Sequence, residues 1–323
     1  MTALTLAIQR LNPMKSFSLK LLKSSDRQVR SGFLFPLAFC LLSVAFYIPV
    51  HSPLPASAQA IDAREAEGDR LFQQGNQQYQ TNQFPAALNS WEQALQIYRA
   101  LKNRQREGLV LGILEIAYRS RGNYAKAIEY TQQSLAIARE MKNRQGEGLA
   151  LSNLGHAYYS LDNSAKAIEY SQQSLAIARE IKDRQTEGWE LGNLGRAYLG
   201  LDDYATAIEY AQQSLAIARD IKDRQSEGIA LVVLGASYNS LGNYAKAIEY
   251  SKQSLAIARE IKDRQSEGAA VGLLGIAYRF LGDYAKAIEY AQQQLAIARE
   301  IKNRHSEGAA LNNLGGAYYS LGN

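Results

Sequence analysis

Residues 147–186 read EGLALSNLGHAYYSLDNSAKAIEYSQQSLAIAREIKDRQT, and this stretch decides the fold. Apolar side chains recur at helical spacing in its first half, at Leu151, Leu154, Tyr158 and Leu161. The polar pair at 162–163 interrupts that pattern, and Asn163 is a favourable N-cap for a second helix. The stretch is therefore predicted to form two helices joined by a short turn.

The same two-helix pattern recurs every forty residues along most of the chain. The motif AKAIEY begins at positions 125, 165, 245 and 285, and the variant ATAIEY begins at 205. LAIAR follows at 135, 175, 215, 255 and 295. A fixed period of this length is typical of stacked units that pack mainly on their neighbours. The sequence thus predicts an all-α solenoid of antiparallel helix hairpins.

The spacing of large and small residues in each unit resembles that of the tetratricopeptide repeat family. Leu151, Leu154-Gly155, Tyr158 and Ala167 fit the first part of the family pattern, and their equivalents recur in the next two units. The resemblance covers residues 61–323 and implies a right-handed superhelix whose concave groove binds a protein or peptide segment. The forty-residue period exceeds the usual length of about 34. In this it is similar to kinesin-light-chain and cyanobacterial arrays.

The repeat body is predicted to begin at residue 61. Residues 61–103 form an atypical and more polar first unit that resembles a cap. Residues 104–323 hold about five and a half units, the last of them incomplete. The incomplete last unit would leave an apolar face uncovered. Either the natural protein continues past it, or this face packs on itself or on a partner.

Residues 1–60 are predicted to be an export signal or, alternatively, a membrane anchor. A basic stretch ends at Arg30, an uncharged apolar run covers 33–50, and two prolines precede the small residues at 56–60. That order is typical of a cleaved signal, although the run is just long enough to span a bilayer. We expect an extracellular site or, from the resemblance to cyanobacterial arrays, the periplasm or thylakoid lumen. Membrane contact would occur only through 33–50, in an uncleaved leader.

Charge and composition argue against a nucleic-acid partner and against catalysis. The net charge is +5, but the leader holds six of the 36 Lys and Arg residues and one of the 31 Asp and Glu residues, so the body is neutral. The single cysteine, Cys40, lies in the leader, and His156 and His305 are the only histidines of the body. No catalytic set, phosphate-binding loop, metal site or cofactor site is recognised.

Comparison of the units with one another separates scaffold from candidate site. The second helix scarcely changes, whereas the first helix varies at fixed places around its Leu-Gly pair. By the family resemblance, those places line the groove and would hold the backbone or terminal carboxylate of a peptide. The candidate groove residues are Arg119, Asn153, His156, Trp189, Asn193, Arg196, Asn239, Arg279, Asn312 and Asn313.

Three further expectations concern the repeat itself. Glu115 replaces a glycine, and it is expected to be a locally opened, solvated carboxylate because a buried unpaired charge is costly. The glycine of each recurring Glu-Gly pair is expected to admit a neighbouring helix backbone. Acid-to-base pairs such as Glu180 and Arg184 are expected to bridge within one helix, four residues apart.

Two functions other than a binding scaffold remain open from the sequence. The chain could be the sensory front of a longer signalling protein, since similar arrays often precede a caspase-like protease domain. It could also be a structural scaffold that self-associates through its C-terminal face.

Overall fold

The computed structural model describes residues 56–322, with side chains from residue 59, and within that range it contains thirteen α-helices and no strand. They are α1 (Ala56–Gln80), α2 (Phe84–Ala100), α3 (Arg104–Ser120), α4 (Tyr124–Glu140), α5 (Arg144–Ser160), α6 (Ser164–Glu180), α7 (Arg184–Leu199), α8 (Tyr204–Asp220), α9 (Arg224–Ser240), α10 (Tyr244–Glu260), α11 (Arg264–Phe280), α12 (Tyr284–Glu300) and α13 (Arg304–Leu321). Most of the predicted leader lies outside the described residues. The helices divide into two compact units, and the second begins at Lys102.

The first unit is a single hairpin of α1 and α2 built around two aromatic side chains. Trp91 is fully buried, and its indole nitrogen donates a hydrogen bond of 3.0 Å to the Asn76 side chain. The hydroxyl of Tyr98 donates to Asp69 at 2.6 Å. Polar atoms that enter this core are therefore paired, which lets the more polar α1 pack against α2.

The second unit repeats one hairpin per forty residues, as the sequence predicts. Turns of three or four residues separate the helices, and an Asn or Asp at each N-cap accepts a backbone N–H bond. Asn163 accepts such a bond from Lys166, so the predicted cap is confirmed. One residue of each turn between hairpins takes a positive φ, and that residue is always a lysine: Lys102, Lys142, Lys182, Lys222, Lys262 and Lys302.

The recurring Glu-Gly glycine makes room for a side chain, so the expectation of a close helix backbone is wrong. A β-carbon built on Gly188 would lie 2.9 Å from the γ2 methyl carbon of Ile217, on the second helix of the same hairpin. The carbonyl of Gly188 also accepts a 2.8 Å bond from the Ser214 hydroxyl. The glycine thus lets an isoleucine and a serine of the second helix reach the first.

Tyrosine pairs fill the other end of each hairpin. Tyr158 of α5 stacks on Tyr170 of α6 with ring centroids 5.5 Å apart, and the equivalent pair stacks in the other complete hairpins. In three hairpins a lysine lies over the first ring, as Lys166 does over Tyr158 at 4.7 Å.

The recurring acids and bases form ion pairs between helices, not within one. Glu180 ends α6 and Arg184 begins α7, so a turn separates them and the expected bridge is absent from the described residues. Instead, Arg144 donates to Glu180 across its own hairpin, with 3.0 Å between Nε and Oε1. Arg179 pairs with Glu187 of the next hairpin at 3.0 Å. Both kinds of pair recur, and together they run along one edge of the second unit.

The first helices form the inner layer of the second unit. Those of successive hairpins, α5, α7, α9, α11 and α13, pack against one another as well as against their own partners, whereas the second helices of successive hairpins approach each other much less. The leucines at the centre of these helices, such as Leu191 and Leu194, are fully buried. No helix within residues 56–322 combines the length and apolar character needed to cross a membrane.

Candidate functional site

The places where the first helices vary are mostly half-buried, as expected for the lining of an inner face. Asn153, His156, Asn193 and Arg196 all have this intermediate exposure. One of these variable positions is an exception. The residue that lies three positions before the glycine of the Leu-Gly pair is buried in three units, as Ser152, Gly192 and Gly272. At that place only the last unit exposes its side chain, Asn312.

Glu115 is buried and paired, so the expectation of a solvated carboxylate is wrong. Its side chain lies on α3 and is 1% exposed. One oxygen accepts a 2.7 Å bond from Arg119 Nε, and the other accepts a 3.0 Å bond from Asn153 Nδ2 on α5. Burial raises the pKa of Glu115, while Arg119 acts in the opposite direction. Two predicted groove residues thus hold this carboxylate.

A second buried carboxylate, Glu190 of α7, was missed by the sequence reasoning. It is fully buried, Asn193 Nδ2 approaches its Oε2 at 3.5 Å, and its Oε1 has no hydrogen-bond partner among the described residues. Burial raises the pKa of Glu190, although the nearby Ser152 and Ser171 side chains oppose the shift. Comparison of the repeats could have singled out Glu190, because four other units have alanine at the equivalent position: Ala150, Ala230, Ala270 and Ala310.

A cleft between α5, α6 and α7 brings three predicted residues together. His156, Asn193 and Arg196 line it, with Gly155, Tyr159, Ala167 and Ser171 completing the wall. The guanidinium carbon of Arg196 lies 4.6 Å from the Tyr159 ring centroid. Burial, together with the positive charges of Arg119 and Arg196, lowers the pKa of His156 to about 4. His156 is therefore neutral at physiological pH.

A second cleft lies between α7, α8 and α9 and shares Asn193 with the first. Trp189 and Ile229 give it an apolar side, and Ser214 and Ser226 give it a polar one. The half-buried Trp189 has the amphipathic character of an anchor for a ligand side chain.

The remaining predicted residues lie in later units and are not brought to these clefts. Asn239 donates a 3.0 Å bond to the carbonyl of Leu273, and Asn313 donates one of 3.0 Å to Gln294. Arg279 stacks over Phe280, with 4.8 Å between guanidinium carbon and ring centroid. Within the part of the chain that the structure describes, no three His, Cys, Asp or Glu side chains gather as metal ligands.

Comparison with protein-family models gives two matches. The tetratricopeptide repeat model matches residues 147–220, 226–300 and 268–323. A model described as the rapsyn N-terminal myristoylation and linker region matches residues 64–145. A search of curated proteins finds no match.

Solved structures of helical-repeat proteins are similar to this chain in fold. A Signal Transduction ATPase with Numerous Domains from Pyrococcus horikoshii, which has a tetratricopeptide repeat sensor, gives a TM-score of 0.64 at 21% identity. The match covers 82% of this chain, which spans only 41% of that protein. Aspartyl phosphate phosphatase F from Bacillus subtilis gives 0.60 at 18% identity, covering 81% of this chain and 73% of the other.

A Rap protein complexed with the Competence and Sporulation Factor gives a TM-score of 0.54 at 15% identity, covering 82% of this chain and 80% of the other. At these identities the likenesses bear on the fold alone.

Proposed function

The chain belongs to the tetratricopeptide repeat family, and we propose that it is a non-catalytic scaffold that binds a peptide or protein segment along its first helices. The observation that carries the proposal is the contrast between the two helices of each repeat. The second helices are nearly identical, whereas the first helices place different polar and aromatic side chains on one shared inner face. A solenoid with such an inner face offers a long binding surface.

Bonding capacity left over on that face supports binding of a polar chain. Within the described residues Arg196 has no acidic partner, and the buried Nδ1 of His156 and Oδ1 of Asn239 have no hydrogen-bond partner. Such groups are costly to bury unless something pairs with them. A peptide backbone has donors and acceptors to do so, while Trp189 and Ile229 offer a place for an apolar side chain.

One structural neighbour is consistent with a ligand of this class. The Rap protein noted above was solved in complex with the Competence and Sporulation Factor. For this chain the class of ligand remains our proposal, because fold alone does not determine function.

Peptide selection on the full chain tests the groove. Peptides selected from a random library should lose at least about tenfold in affinity, or about 1.4 kcal/mol, for the variant Asn153→Ala/Asn193→Ala/Arg196→Ala. The matched control is Gln172→Ala/Gln212→Ala/Gln292→Ala, which changes exposed second-helix residues at equivalent positions. Circular dichroism checks that both variants fold. Selected peptides that bind all three proteins equally well would contradict the proposal.

We also propose that the scaffold works outside the cytoplasm, either released by signal cleavage or held by an uncleaved leader. The order of basic, apolar and small residues in 1–60 supports this. Fractionation of the native cells and N-terminal sequencing of the mature protein test it. A mature chain that begins near residue 59 or 61 supports cleavage, and an intact chain in the cytoplasm contradicts export.

The second candidate function is the sensory region of a longer signalling protein. The observation that favours it is the likeness to a signal-transduction ATPase with a tetratricopeptide repeat sensor, of which this chain spans 41%. The genomic reading frame past residue 323 decides the matter. A continuing frame that encodes a catalytic domain supports this candidate, and a stop codon at once removes it.

A further inference from the structure

The turns between hairpins give one edge of the second unit a row of exposed lysines. All six of these turns place a lysine at the left-handed position, and the row is named the lysine edge: Lys102, Lys142, Lys182, Lys222, Lys262 and Lys302. The arginines beside them are held by acids, as Arg144 is by Glu147 and Glu180. The six lysines themselves form no ion pair within the described residues. Their positive charges are therefore available to a partner.

The backbone of these turns does not account for lysine. A left-handed residue with a side chain is strained, and glycine avoids that strain. The matching position of the turns within hairpins varies from unit to unit: Gly122, Asp162, Asp202, Gly242 and Gly282. Duplication of whole repeats would copy both positions alike. Since only the position between hairpins stays the same, the lysine side chain is the feature that needs a reason.

The acids nearest to these lysines are already used inside the protein. An aspartate follows the lysine in three turns, where it caps the next helix. Asp183, for example, accepts bonds from the backbone nitrogen of Thr186 at 3.1 Å and from its hydroxyl at 2.7 Å. In the other three turns the cap is an uncharged asparagine: Asn103, Asn143 and Asn303. The repeat body is neutral as a whole, but this edge keeps spare positive charge.

An aliphatic side chain precedes every lysine of the row. Met141, Ile181 and Ile261 are 46%, 38% and 37% exposed, and the other three are half-buried: Leu101, Ile221 and Ile301. An ammonium on a flexible apolar stem, next to an exposed aliphatic group, suits the boundary between water and hydrocarbon. A soluble polyanion would make use of the lysines alone.

The opposite edge has exposed apolar side chains but no comparable row of spare charges. The turns within hairpins expose one leucine each in four units: Leu161, Leu201, Leu241 and Leu281. The lysines near them are engaged, since Lys166 lies over the Tyr158 ring at 4.7 Å and Lys286 pairs with Asp283 at 2.6 Å. Apolar exposure is thus common to both edges, and positive charge distinguishes the lysine edge.

We propose that the lysine edge docks on an anionic lipid surface. The lysines contact headgroup phosphates, while Met141, Ile181 and Ile261 lie at the boundary with the acyl chains. Because this edge consists of helix ends and turns, docking leaves the inner face of the first helices open. The inference does not depend on peptide binding there. It adds a second place of membrane contact to residues 33–50, to which the sequence confines such contact.

Acetylation footprinting of the full chain tests the inference. The protein is treated with acetic anhydride, with and without phosphatidylcholine vesicles that contain about 30% phosphatidylglycerol. We expect these vesicles to slow acetylation of Lys142, Lys222 and Lys302 at least about threefold, because bound lipid shields the ammonium groups. Cleavage after arginine leaves each of the three in a peptide of unique sequence. Vesicles without phosphatidylglycerol, or about 1 M salt, should abolish the protection.

Three exposed lysines of the opposite edge are the internal control, and their rates should not change: Lys126, Lys166 and Lys286. The leader can also bring the chain to a vesicle, but comparison of two edges within one molecule removes its effect. Equal protection of both edges, or protection of neither, overturns the inference. Protection by soluble polyglutamate but not by vesicles also overturns it, in favour of an acidic macromolecule as partner.

Two triple variants of equal charge form a matched pair for the same measurement. Lys142→Gln/Lys182→Gln/Lys222→Gln should lower the vesicle protection of the remaining Lys302 at least about twofold, since fewer charges hold the edge to the lipid. Lys126→Gln/Lys166→Gln/Lys246→Gln removes as many charges at the opposite edge and should leave that protection unchanged. Circular dichroism checks that both variants fold. Equal losses would show that net charge alone governs binding, which contradicts a docking edge.

Discussion

Two glutamates show how a single replacement alters one repeat without disturbing the others. Both replace small residues of the first helix, and both are buried. Glu115 is held by Arg119 and Asn153, whereas Glu190 keeps one oxygen unpaired among the described residues. Burial raises the pKa of both carboxyls, but a paired arginine opposes the shift only at Glu115.

Glu190→Gln should therefore stabilise the protein at neutral pH, by about 1–3 kcal/mol. Burial raises the folded-state pKa of Glu190, so the native carboxyl carries no penalty below its unfolded pKa of about 4.3 and loses stability as pH rises through the folded pKa. In urea unfolding, the gain from the variant should grow as pH rises above about 4.3 and should level off above the folded-state pKa. Glu209→Gln, at an exposed second-helix position, is the control with no such trend. Parallel pH profiles of Glu190→Gln and wild type would refute this account.

The turns between hairpins carry a backbone cost that those within hairpins often avoid. Lys182 has a φ of +58°, a left-handed value that favours glycine. Three turns within hairpins use glycine at the matching place: Gly122, Gly242 and Gly282. The helix ends are geometrically alike, so the two kinds of turn form a natural comparison.

Lys182→Gly is expected to stabilise the second unit by about 0.5–1 kcal/mol, because strain relief outweighs the added freedom of the unfolded chain. The reverse change, Gly242→Lys, should lower stability by a similar amount. Thermal unfolding followed by circular dichroism measures both. A destabilised Lys182→Gly protein would show that the lysine side chain contributes more than its backbone strain costs.

At the scale of the whole second unit, ion pairs close each hairpin and join it to the next. Arg224 reaches Glu260 across its hairpin, with 3.1 Å between Nε and Oε1. The equivalent pair of Arg184 with Asp220 is stretched to 4.0 Å, because aspartate is one methylene shorter. Each arginine also pairs within its helix, with Glu227 or Glu187 at 2.6 Å. The two arginines thus differ in their cross-hairpin ion pair.

Arg224→Ala should accordingly lower the unfolding temperature more than Arg184→Ala does. The difference should be about 1–2 °C, since exposed ion pairs contribute little. It should shrink in about 1 M salt, which screens exposed charges. Differential scanning calorimetry at two salt concentrations gives the comparison. Equal losses at low salt would mean that the cross-hairpin pair adds nothing.

Local patterns made the hairpins predictable, whereas contacts between repeats were not. Apolar spacing and caps such as Asn163 depend on neighbours within one helix or turn, and these expectations were correct. The burial of Glu115 depends on Asn153, 38 residues away on another helix. The predicted ion pairs were wrong for the same reason. Arg144 and Glu180 meet only because α5 and α6 are antiparallel. The candidate residues were brought together only in part, since Asn239, Arg279 and Asn313 lie in other repeats.

The near-identity of the second helices bears on how this array can change over generations. Recombination between two copies of the forty-residue coding segment would remove or insert a whole hairpin and rejoin surfaces that already fit. Length is therefore a trait that a gene of this kind can alter in one step. The segment that encodes α3 to α5 is the exception, because a crossover there would separate Glu115 from Asn153 and leave one oxygen of a buried carboxylate without its partner.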